Sequence, residues 1–76
     1  MKIVFSFHAR QRMLQRGINE STILEILKNP DFIENSFGGR KIAVKKIDAL
    51  WKIVFIEEEE KIIVISVFFF YPSSSS

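Results

Sequence analysis

The ten residues Ile62 to Tyr71 are apolar except for Ser66. A run of this length is about half of what a helix needs to cross a bilayer. β-Branched and aromatic residues dominate it, which favours an extended strand. A strand that is apolar on both faces belongs inside a sheet. The rest of the chain must therefore build a sheet around Lys61 to Phe70 and cover it. Its 76 residues suffice for one domain. A domain this small buries only about 60% of its unfolded surface. The core must be rich in apolar groups, and a composition 47% hydrophobic with eight Phe supplies them.

Further strands flank this one. Leu50 to Glu57 alternates, with Trp51, Ile53 and Phe55 on one face. Arg40 to Ile47 alternates too, and Asp48-Ala49 reads as the turn between them. Gly38-Gly39 is a tight-hairpin signal after a weaker strand over 31–37. Glu58 to Glu60 reads as a charged turn, Pro72 ends the last strand, and Lys2 to Phe5 reads as a first strand. Period-two patterning predicts that Trp51, Ile53, Phe55, Ile63, Ile65 and Val67 share the face turned to the core.

Two helices intervene. Ser6 offers an N-cap and Gly17 a C-terminal stop for Phe7 to Arg16. Phe7, Ala9, Met13 and Leu14 fall on its apolar side, with Arg10 at the edge. Glu20 to Lys28 is the second helix, capped by Asn19, stapled by Ile18 and Ile23, and stopped by Asn29-Pro30. The expected fold is α+β in the order βααββββ: two N-terminal helices on a mainly antiparallel sheet of four or five strands. Residues 1–72 form the single domain, and Ser73 to Ser76 are expected to be a disordered tail.

Charge is uneven. Residues 1–46 hold nine Lys and Arg against four Asp and Glu, net +5, and residues 47–76 hold two against five, net −3. A basic first half suits an anionic partner such as nucleic acid, although a solvated charged surface has the same composition. The absence of cysteine removes disulfides and thiolate metal sites and fits a reducing, cytoplasmic setting. No secretory signal is visible: the chain reaches His8 and Arg10 before any long apolar run. With one His and no Cys no metal site is expected, and nothing points to a cofactor or a membrane.

His8, Arg12 and Arg16 recur at four-residue steps on one face of the first helix. A column of cations near a helix N-terminus opposes the helix dipole. It becomes sensible when an anion such as phosphate lies against it, where Arg binds in bidentate fashion and imidazole transfers protons near neutral pH. The alternative is a solvated face paired with Glu57 to Glu60. Phe68 to Phe70 are either core or stacking platforms for bases.

The string Phe5-Ser6-Phe7-His8-Ala9, then Arg12-Met13 and Arg16-Gly17-Ile18, resembles the opening signature of the domain of unknown function 4258 family. Asn29-Pro30-Asp31, Gly39-Arg40 and the final apolar strand continue the likeness, which spans about residues 4–70. Such domains resemble the RelE-like ribonuclease toxins of the barnase, EndoU and colicin fold. The resemblance implies a RelE-like fold and a toxin-like, metal-independent endoribonuclease. In it, the ribose 2′-OH attacks the adjacent phosphate. It implies His8, Arg12, Arg16 and Tyr71 as catalytic residues and Arg40 as a substrate-positioning cation, with Lys45 cast beside Arg40 in that role. Its partners would be RNA and an antitoxin-like protein. The alternative is a non-catalytic RNA- or protein-binding module using the same basic face. The succession of rings from Phe68 to Tyr71 also predicts a homodimer or heterocomplex through the C-terminal strand.

Overall fold

In a computed structural model, described here for residues 2–71, the apolar run becomes the longest strand of a five-stranded sheet. The elements follow as β1 (Lys2–Phe5), α1 (Phe7–Arg16), α2 (Glu20–Lys28), β2 (Phe32–Asn35), β3 (Arg40–Lys46), β4 (Leu50–Glu57) and β5 (Lys61–Phe70). The spatial order is β1-β5-β4-β3-β2. The four strands after the helices meet as antiparallel neighbours, and β1 lies parallel to β5. The architecture is α+β, with two helices and a mixed sheet. Among the described residues no helix is long and apolar enough to cross a membrane. Residues 73–76, expected to fray, lie outside the described residues.

Both helices lie on one face of the sheet. Ala9 and Met13 of α1 and Ile23 and Ile26 of α2 pack against Phe5, Ala43, Ile53, Phe55, Val64 and Val67. The apolar stripe of α1 is narrower than expected, because Phe7 and Leu14 stand 80% and 84% exposed. They sit on the flank of the helix that turns away from the sheet. Arg10, between Met13 and Leu14 around the helix, lies over the Phe5 ring and pairs with Glu20 at 3.4 Å.

The expected face of β5 is corrected by a β-bulge. Val54 pairs with Ser66 and Phe55 with Val64, which leaves Ile65 as an extra residue. One extra residue reverses the alternation of a strand. Ile62 and Val64 therefore face the helices before the bulge, and Val67 faces them after it. Ile63 and Ile65, expected in the core, are only half-buried and lie outside the core cluster.

Ser6 ties this irregular point to the helix. Its hydroxyl donates to the Ile65 carbonyl at 2.8 Å and accepts from the Ala9 N–H at 3.0 Å. Its own N–H donates to the Val64 carbonyl at 2.9 Å. One side chain thus caps α1 and occupies the carbonyl of the bulged residue. Ser6→Ala removes both bonds and should cost about 1–2 kcal/mol. Urea unfolding measures this, and a loss below about 0.5 kcal/mol would show that water replaces the hydroxyl without penalty.

Gly17 closes α1 at φ 66°, its N–H bonding the Leu14 carbonyl. The glycine pair makes the β2–β3 hairpin as a short 3-10 turn, with Gly38 and Gly39 at φ 65° and 77°. Both values are left-handed and favour glycine. Asn19 occupies the N-cap position of α2, but its side chain makes no capping bond.

Candidate nucleic-acid interface

β1 covers only the first four residues of β5, from Lys61 to Val64. Beyond the bulge, the outer edge of β5 has no neighbouring strand among the described residues. Helix α1 lies along that edge, and its guanidinium groups reach rings on both faces of β5. Arg12 sits 5.3 Å from the centroid of Phe68, and Arg16 sits 5.5 Å from that of Phe69. The register explains the two sides. Phe69 pairs with Trp51, a residue of the helix-covered face. Phe68 pairs with Lys52, which points the other way.

The resulting cleft of about 290 Å³ is lined by Arg12, Arg16, Val67, Phe68, Phe69 and Phe70. Its rings are ordered by one another: Trp51 stacks on Phe69 at 4.9 Å, and Tyr71 meets Phe69 edge-on at 5.3 Å. The Trp51 indole N–H donates to the Ile47 carbonyl at 3.1 Å, which holds the stack in place. Phe70 and Tyr71 remain 54% and 72% exposed. Among the described residues no carboxylate pairs with Arg12 or Arg16. The acidic turn, offered above as a neutralising partner, pairs elsewhere: Glu57 with Lys41 at 3.1 Å and Glu58 with Lys61 at 3.7 Å.

The column of His8, Arg12 and Arg16 is not straight. Four residues of α-helix turn through about 400°, so each step advances about 40° around the axis. That drift carries the column toward the sheet as the chain proceeds. His8 in the first turn stands in solvent, whereas Arg12 and Arg16 lie over rings. His8 does not line the cleft. Tyr71 stands beside Phe69, at the Arg16 end. The backbone rise between His8 and Arg16 is about 12 Å, so His8 and Tyr71 flank the cleft at opposite ends.

The two positioning cations lie elsewhere. Arg40 pairs across β3 and β4 with Ile56, which pairs in turn with Ile63. That row is at the far end of the sheet from Phe69. Lys45 lies in the same row as Trp51 and Phe69, but its ammonium donates to the Asn29 carbonyl at 2.7 Å and lies 4.0 Å from Asp31. It closes the C-terminal end of α2. One participant escapes a reading of the sequence alone: Trp51 braces Phe69. The succession of three Phe was the available signal, and it does not tell which rings reach the surface.

Chemically, the cleft offers two guanidinium groups for anionic oxygens and exposed rings for stacking, with an imidazole one turn beyond Arg12. Among the described residues no group of His, Asp and Glu is placed to hold a metal ion. A family model described as "Domain of unknown function (DUF4258)" matches residues 5–69. No curated protein and no solved structure matches the chain.

Proposed function

Since the chain belongs to the DUF4258 family, and its cleft combines arginines with exposed rings, we propose that it binds single-stranded RNA and cleaves it as a metal-independent endoribonuclease of the RelE-like, toxin type. The observation that carries this reading is the pairing of Arg12 with Phe68 and Arg16 with Phe69 along an edge with no side-chain carboxylate among the described residues. Guanidinium groups held over rings are fixed in position and keep their donors for phosphate oxygens. Rings at the end of a strand accept unstacked bases of any sequence, which duplex RNA does not offer.

In the proposed reaction, His8 takes the proton of a ribose 2′-OH. The 2′-oxygen attacks the adjacent phosphorus, and the bond from phosphorus to the 5′-oxygen breaks. Arg12 and Arg16 stabilise the charge on the non-bridging oxygens. The leaving 5′-oxygen takes a proton from water, the resulting hydroxide is neutralised by the proton that His8 took, and the products are a 2′,3′-cyclic phosphate and a 5′-hydroxyl end. Tyr71 fits stacking better than proton transfer, because it stands at the other end of the cleft from His8. That same separation favours a second reading, a binding module that holds RNA without cutting it. The toxin-type reading also implies an antitoxin-like partner protein, and a cytoplasmic site of action.

Incubation of single-stranded RNA with the protein in EDTA tests the proposal. His8→Ala should lower cleavage by about 10²–10⁴-fold and leave RNA affinity nearly unchanged. Binding by the unmodified protein without any cleavage would select the module. No binding at low salt would sink both readings.

A further inference from the structure

The face of the sheet turned away from the helices is also apolar. The register places Val4, Ile42, Val54, Ile56 and Ile63 together at its centre, all half-buried. Phe32 and Phe70 stand exposed at its margins. Among the described residues no helix lies on this face, since the buried residues of both helices belong to the opposite cluster. A contiguous aliphatic surface on a small domain marks a site of association.

The charged residues of this face are almost all of one sign. Lys2, Lys61, Arg40, Lys46 and Lys52 share its side of their strands, Lys61 being paired with Glu58 at 3.7 Å, and Glu34 is the one acid of the strands to do so. The geometry points to a docking surface for an acidic amphipathic helix of a partner protein, its apolar stripe on the aliphatic centre and its carboxylates against the cationic margin. The dimensions suit it: outer strands of a five-stranded sheet lie about 19 Å apart, which a helix of about 13 residues spans and one of about 18 residues covers with a turn to spare. A second copy of this chain fits worse, because it would set the cationic margin against its own kind. RNA fits worse as well, because the centre of the face is aliphatic and the exposed rings, Phe32 and Phe70, stand apart at its margins. The inference rests on the open face and does not depend on the reading of the α1–β5 cleft.

Two synthetic helices of about 18 residues, one of Leu and Glu and one of Leu and Lys in the same amphipathic pattern, serve as probes by fluorescence anisotropy. The Leu/Glu helix should bind saturably and more weakly as salt rises, and the Leu/Lys helix should not bind. Val54→Glu should weaken binding by at least about tenfold, as should the charge reversal Lys52→Glu, which leaves the apolar centre intact. Circular dichroism confirms that each variant is folded. His8→Ala, remote from this face, should bind the helix like the unmodified protein even if RNA cleavage is lost. Three results would overturn the inference: equal binding of both helices, no binding of either by the folded protein, or a mass that rises with concentration and falls back in Val54→Glu.

Discussion

Ile53→Ala should destabilise the domain by about 2–5 kcal/mol, whereas Ile65→Ala, only one strand away, should cost less than about 1.5 kcal/mol. Ile53 is fully buried, with Ala43 opposite it on one side and Val67 on the other. Removing three carbons there leaves a cavity between the sheet and the helices packed on it, which the close-packed interior cannot readily fill. Ile65 is the bulged residue, half-buried and outside the core cluster, so its truncation leaves little void. A domain of 76 residues has a total stability of roughly 4–11 kcal/mol. The first substitution therefore threatens folding and the second does not. Denaturant melts of both variants decide the matter, and equal losses would show that Ile65 belongs to the core after all.

Arg12→Ala combined with Arg16→Ala should weaken binding of single-stranded RNA by about 10–100-fold at moderate salt and lower the slope of log affinity against log salt by roughly one to two. Each arginine supplies one cation to the cleft, and no carboxylate among the described residues competes for it. The same variant should be destabilised only slightly, because exposed cation–π contacts contribute about 0.5–1 kcal/mol each. Filter binding across a salt series measures the effect. An unchanged affinity and slope would remove the cleft from any role with nucleic acid, whatever His8 does. The matching change at Lys45 should have little effect on RNA, since its ammonium is committed to the Asn29 carbonyl.

Much of the local structure was legible in the chain. Ser6 and Gly17 bracket α1, Asn19 and Asn29-Pro30 bracket α2, and the alternation of Leu50 to Glu57 identifies its buried face. These signals act within a few residues, through a capping bond, a left-handed turn or the pleat of a strand. The same is true of the four-residue spacing that puts His8, Arg12 and Arg16 on one helix.

The rest depended on contacts between distant residues. The bulge at Ile65 leaves no mark in a run of aliphatic residues, because Ile63, Val64 and Ile65 are interchangeable as strand formers. Which of them faces the helices is set by Ser6, fifty-nine positions earlier, bonding the Ile65 carbonyl, and by the pairing with β4. Whether Phe7 and Leu14 count as core was equally undecided, since helical periodicity gives a stripe but not its width against a sheet. The cationic column acquires its rings only because β1 is too short to cover β5, which leaves α1 lying along the open edge. Signals local to the chain set the elements, the ends of α1 and the spacing of the cations. Tertiary structure alone decided which faces are buried and which arginines meet aromatic rings, because burial and long-range pairing depend on what the other end of the chain brings to each strand.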